Sequence, residues 1–207
     1  MRIKNQITVM RKLVVAVWLI ILFSGVGALF WYNEIIYHLP TPVPANYKPV
    51  NNGTIINLGS DFNAWQGKPV FLHFFNPDCP CSRFNIANFR SLVKQFGDQV
   101  KFVVVVINNK RYTAKAIQDK FDLDVPVSFD ASLAVACGVY STPQAALLDA
   151  QHTLYYRGNY NQSRYCTDEK TSYAKIALNG LLHDHARLVF SQLALRSYGC
   201  SLPNCKR

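Results

Sequence analysis

Phe71-Leu72-His73-Phe74-Phe75-Asn76-Pro77-Asp78-Cys79-Pro80-Cys81-Ser82-Arg83 is the stretch on which the chain turns. An apolar run halts at the turn signal Asn76-Pro77, and two cysteines follow at once. Behind them Ile86, Phe89, Val93 and Phe96 recur at helical spacing, with Arg90, Lys94 and Gln95 between. The cysteines therefore sit where a buried strand hands over to a helix. A sulfur at a helix start feels unpaired backbone N–H groups and the positive end of the helix dipole. Both favour thiolate over thiol and lower the cysteine pKa. Pro80 suits the first helical position, where an N–H is not needed. That placement makes Cys79 the more exposed sulfur and the expected nucleophile.

Outward from this stretch the pattern continues in order. Residues 101–107 (Lys-Phe-Val-Val-Val-Val-Ile) form a continuous β-branched run, the mark of a strand buried on both faces. A helix separates it from the strand at 70–75, so the two are expected to be parallel with a right-handed crossover. The spacing predicts helices over 82–96, 113–121 and 130–137, an edge strand at 53–58, and a hairpin from 144–148 and 153–157. A stripe of Ala174, Leu178, Leu181, His185 and Leu188 predicts one long C-terminal helix.

Strand, aromatic pair, short turn, Cys-Pro motif and helix resemble the active site of thioredoxin-fold proteins. A second match lies in Gly138-Val139-Tyr140-Ser141-Thr142-Pro143-Gln144-Ala145, followed by Tyr155-Tyr156-Arg157-Gly158. It is similar to the cis-proline loop and following hairpin of that superfamily, and the likeness covers roughly residues 54–190. The implied fold is α/β, a thioredoxin-like three-layer α/β/α sandwich around a mixed sheet. The implied bond between Thr142 and Pro143 is cis, in a loop that faces the catalytic sulfur and pairs with substrate backbone. His73 stands where the family often keeps a buried polar residue that relays protons. A core histidine bonded to backbone is the other reading. The family usually separates its two cysteines by two residues. Here one residue separates Cys79 from Cys81, and Ser82 holds the place of the second cysteine.

Cys81 is then a resolving thiol, a metal ligand beside Cys79, or a bystander; the resolving role is favoured. Cys166, after the hairpin, is the second resolving candidate. Ser82 can hydrogen-bond a thiolate. Cys137 sits in an apolar segment and reads as structural. Cys200 and Cys205 flank a proline and read as a local disulfide in the tail. No cofactor and no resident metal are assigned.

The net charge is +10, and Arg2, Lys4, Arg11 and Lys12 contribute four of those charges at the N-terminus. No dense basic run follows, which speaks against nucleic acid as a partner. Residues 13–32 are nearly free of polar side chains and match the roughly 20 residues needed to cross a bilayer. The preceding basic residues place the N-terminus in the cytoplasm and the remainder outside the inner membrane. A cleaved signal peptide ending near Val26-Gly27-Ala28 is the rival reading. The organisation read from the sequence is a basic N-terminus (1–12), an anchor (13–32), a proline-rich spacer (33–52), a thioredoxin-like domain (53–195) and a cysteine-containing tail (196–207). Six cysteines fit an oxidising compartment.

Together these readings describe a membrane-tethered thiol–disulfide oxidoreductase. Its partners would be protein thiols and disulfides and, optionally, an electron donor in the membrane. The alternative is a copper-binding or copper-delivering module, or a redox-inert adaptor. A thiol peroxidase ranks below both. Peroxidases of the related fold carry Thr or Ser three residues before the reactive cysteine and Pro four before that, where this chain has Asn76 and Leu72.

Overall fold

The computed structural model describes residues 2–59, 62, 65, 67–108, 110–163, 165–184 and 188–202. The chain divides into two units, residues 1–39 and 40–207. The first is one helix, α1 (Arg2–His38), with an apolar stretch over Val9–Ile35 long enough to cross a bilayer.

The second unit is built on β1 (Val70–Phe75), α2 (Pro80–Phe96), β2 (Lys101–Val106), α3 (Ala114–Phe121), β3 (Val127–Ser128) and α4 (Ser132–Ala136). β4 (Ser141–Thr142), β5 (Gln144–Leu148), β6 (Leu154–Gly158), α5 (Tyr173–Asn179), α6 (Gln192–Leu195) and β7 (Cys200–Ser201) complete it. Five strands form one sheet in the order β3-β2-β1-β5-β6. β1, β2 and β3 run parallel, whereas β5 pairs antiparallel with both β1 and β6. β4 and β7 make a separate antiparallel pair.

Alternation along β1 and β2 sends side chains to two apolar layers. On one face Phe71, Phe75, Phe102 and Val104 pack with Phe89 and Phe96 of α2 and Ala174 and Leu178 of α5. On the other, Leu72, Phe74, Val103 and Val105 pack with Leu133 and Ala134 of α4 and with Ile56 and Leu58. Helices therefore cover both faces of a mixed sheet, which is the expected thioredoxin-like three-layer arrangement. Thr113 caps α3, its hydroxyl accepting from Ala116 N–H at 3.1 Å.

Four sequence expectations change. The proline-rich segment is not a free spacer from Pro40 onward. Thr41 is buried, its N–H donates to the Ser197 carbonyl at 2.8 Å, and Tyr47 packs edge-on against Tyr140 and donates to the Gly138 carbonyl. Prolines leave the segment few N–H groups of its own to satisfy, so the remaining donors reach into the fold. The expected edge strand at 53–58 reduces to a single bridge, Ile55 to Thr153, beside Gly53 at φ +92°. The C-terminal helix is not one long element. α5 ends at Asn179, a π-helical turn covers Gly180–Asp184, and α6 starts only at Gln192; His185 of the predicted stripe lies outside the described residues. A Cβ on Gly180 would lie 2.8 Å from the Tyr155 hydroxyl, so this neighbour approaches the chain closely where the π-helical turn begins. Finally, residues 196–202 are part of the domain: Ser197 and Cys200 are buried, and β7 is paired.

Candidate functional site

Cys79 is the N-cap of α2, with extended backbone (φ −84°, ψ 123°) and Pro80 behind it. Its N–H donates to the Asn76 carbonyl at 3.0 Å, and its carbonyl accepts from Arg83 N–H. Ser82 is fully buried, and its hydroxyl accepts from Asn76 N–H at 3.2 Å, stapling the helix to the turn before it. The Asn76 side-chain oxygen accepts from Asp78 N–H at 3.0 Å and from the Asn108 amide at 2.7 Å. Asp78 in turn accepts from Tyr112 and Asn108 and pairs with Lys110 at 3.0 Å. The Lys110 hydrogen bond, helped by those of Tyr112 and Asn108, holds the Asp78 carboxyl below its ordinary range despite some desolvation. These polar contacts fix the loop between β1 and α2 against the loop after β2.

The sulfur of Cys79 is bonded to that of Cys200, 121 residues away, with the two Cα atoms 6.8 Å apart. Three expectations are corrected here. Cys200 does not pair locally within the tail, and Cys205 lies outside the described residues. Nor is Cys79 the exposed sulfur: its exposure is 0%, against 7% for Cys81 and 5% for Cys200. The favoured Cys79–Cys81 pairing is absent as well, and a cysteine that the sequence reading assigned elsewhere takes its place. Its only local sign was the small-residue context Gly199-Cys200-Ser201, which the spacing does not connect to Cys79.

Cys200 is brought there by strand pairing. β7 lies antiparallel on β4, with Thr142 opposite Cys200 and Ser141 opposite Ser201. The Thr142–Pro143 peptide bond is cis. A Cβ on Gly199 would sit 2.5 Å from the Thr142 carbonyl oxygen, so this close approach requires glycine. Thr41 clasps the same residue: its hydroxyl donates to the Gly199 carbonyl at 2.8 Å and accepts from Gly199 N–H at 2.9 Å. The hydroxyls of Ser141 and Thr142 are buried with no hydrogen-bond partner among the described residues.

Cys81 joins the cluster. The sulfurs of Cys79, Cys81 and Cys200 all lie within 4.8 Å of one another. Cys166 and Cys137 are outside it. Burial pushes both thiols up to about 12. Cys166 packs against the face of the sheet that α2 covers, and its neighbour Tyr165 meets Phe84 of α2 at 5.2 Å, so this loop reaches the helix start without delivering the sulfur to the cluster.

His73 lies in the sheet centre, between Val104 of β2 and Ala145 of β5. Its ring stacks on Phe89 with centroids 4.4 Å apart, and Nδ1 lies 2.7 Å from the Tyr160 hydroxyl. Its Nε2 has no partner among the described residues. Complete burial lowers its pKa from 6.5 to about 3, so the ring is neutral at physiological pH. In place of a core histidine bonded to backbone stands one paired with a tyrosine side chain.

Chemically, a disulfide at a helix start can exchange with thiols, and three sulfurs so close can also donate together to a soft metal ion once reduced. The family described as Domain of unknown function (DUF6436) matches residues 53–202. This chain belongs to the DUF6436 family. The matched region holds all three clustered cysteines. No curated protein matches the DUF6436 chain. Among solved structures it is similar to a hypothetical protein from Sinorhizobium meliloti 1021, at 19% identity over 76% of this chain and 97% of that one, with a TM-score of 0.62. An uncharacterized conserved protein from Geobacillus kaustophilus is similar at 20% identity, 81% and 98% coverage and a TM-score of 0.60. A thioredoxin-family thiol:disulfide interchange protein from Chlorobium tepidum is similar at 18% identity, 63% and 99% coverage and a TM-score of 0.48.

Proposed function

We propose that this DUF6436 protein is a membrane-tethered thiol–disulfide oxidoreductase that acts on protein thiols outside the inner membrane, with Cys79 and Cys200 as its redox pair. The observation that carries this reading is the disulfide joining a helix N-cap cysteine to a strand beside the Thr142–Pro143 loop. A substrate thiolate attacks the Cys79 sulfur, and Cys200 leaves as a thiolate. A second substrate thiol then displaces Cys79. The substrate gains a disulfide, and the chain takes up two electrons and two protons. The reverse sequence reduces a substrate disulfide. Cys200 thus fills the resolving role that the sequence reading gave to Cys81 or Cys166. Arg2, Lys4, Arg11 and Lys12, at the N-terminal end of α1, support a cytoplasmic N-terminus and an extracytoplasmic domain.

The test is oxidation of a dithiol peptide by the disulfide-bonded chain. Wild type is expected to turn over, and Cys79→Ser and Cys200→Ser are expected to lose turnover. A Cys200→Ser variant at the wild-type rate overturns the pairing. The copper reading keeps one specific support, the three clustered sulfurs. It requires one Cu(I) to bind the reduced chain and the Cys200→Ser variant to weaken that binding.

A further inference from the structure

We infer that the oxidised chain shifts its own disulfide from Cys79–Cys200 to Cys81–Cys200, and that the Cys79 thiolate so released isomerises disulfides in substrate proteins without an added reductant. The inference deepens the oxidoreductase reading and rests on it. A two-cysteine site is inert toward substrate disulfides while oxidised, because both sulfurs are used. Here a third sulfur lies within 4.8 Å of each member of the bond.

Two internal attacks are open to Cys81. Attack on the Cys79 sulfur would join residues two apart at the mouth of a helix, where the Cβ directions suit a disulfide poorly. Attack on the Cys200 sulfur joins residues from separate elements and expels Cys79. Cys79 is the better leaving group, because it departs as a thiolate at the N-terminus of the 17-residue α2. The balance is closed. Cys81 gives its proton to solvent, the Cys81–Cys200 bond forms, the Cys79–Cys200 bond breaks, and no electrons enter or leave. The freed Cys79 thiolate attacks a substrate disulfide and releases one substrate sulfur. Another substrate thiolate then displaces Cys79 from the mixed disulfide. The number of disulfides is constant throughout.

Access follows from the same step. Cys79 is buried in the Cys79–Cys200 form, and β7, which carries Cys200, is only two residues long. Moving the bond to Cys81 frees the Cys79 sulfur from its covalent tie to β7.

The test uses full-length oxidised protein in detergent with no thiol added. It is treated with N-ethylmaleimide at pH 8, quenched in acid and mapped for disulfide peptides. The expected result is a Cys81–Cys200 peptide together with alkylated Cys79, and reactivation of a scrambled disulfide protein. Cys81→Ser and Cys81→Ala should each slow that reactivation at least about tenfold, and Cys166→Ala should not. Alkylation confined to Cys81, with Cys79–Cys200 as the sole peptide of the cluster, overturns the inference, as does a Cys79–Cys81 peptide with alkylated Cys200. Dithiol-peptide oxidation by the same wild-type sample separates the two claims. Oxidation without isomerisation sinks the inference alone, and failure of both sinks the oxidoreductase reading too.

Discussion

His73 makes the stability of the domain depend on pH in a direction and window that its environment sets. The neutral ring is packed between Phe89 and Tyr160 and is completely buried, so folding opposes its protonation. Its pKa is 6.5 when exposed and about 3 in the fold. The unfolded chain therefore binds this proton more readily than the native one. Above pH 6.5 the group contributes no penalty. As pH falls from there toward 3, stability declines by about 1.4 kcal/mol per pH unit, reaching a ceiling of about 5 kcal/mol. At pH 5.0 the loss from this one group is about 2 kcal/mol. The assay is urea unfolding of the disulfide-intact, full-length chain in detergent, followed by near-ultraviolet circular dichroism at pH 7.5 and 5.0. The comparison is with His73→Phe, which keeps an aromatic ring against Phe89. That variant strands the Tyr160 hydroxyl and should be weaker by about 1–3 kcal/mol at both pH values. Its loss between pH 7.5 and 5.0 should nevertheless be smaller than that of wild type by about 2 kcal/mol. Carboxylates such as Asp78 titrate in both proteins and cancel in the difference. Equal losses, within about 0.5 kcal/mol, would refute the claim that His73 is held neutral by burial.

The clasp on Gly199 should govern how easily the disulfide opens. Thr41→Val removes both hydrogen bonds to Gly199, weakening strand docking by about 1–2 kcal/mol, and reduction by dithiothreitol should become several-fold faster; an unchanged rate would mean that the N-terminal segment does not hold β7. Gly199→Ala drives a methyl group toward the Thr142 carbonyl and should accelerate reduction in the same assay, with wild-type kinetics counting against the close approach. Because the Cys79–Cys200 bond spans 121 residues, reducing it should lower stability by about 2–5 kcal/mol, read as a shift in the urea midpoint; Cys166→Ala should leave that shift intact. Carbonate washing of membranes should leave the intact chain in the pellet, whereas a mature soluble protein beginning near residue 29 would show that α1 is a cleaved signal.

Local chemistry decided the frame from sequence alone. The change from an apolar run to helical spacing around Cys79 located β1 and α2, and the β-branched run at 101–107 located β2, because side-chain period and backbone shape are set by neighbours a few residues away. The hairpin at β5 and β6 was legible for the same reason. The partner of Cys79 was not. Disulfide pairing depends on Cα separation and Cβ direction in space, and those were fixed by a two-residue ladder between β4 and β7 that no local pattern announces. The packing of Thr41 on Gly199 and the meeting of His73 with Tyr160 belong to the same class. Each joins residues far apart in the chain, and each follows from which buried polar groups need a partner once the apolar layers have closed. The sequence thus determined where the helix-start sulfur of Cys79 stands, and the tertiary structure decided which sulfurs lie beside it.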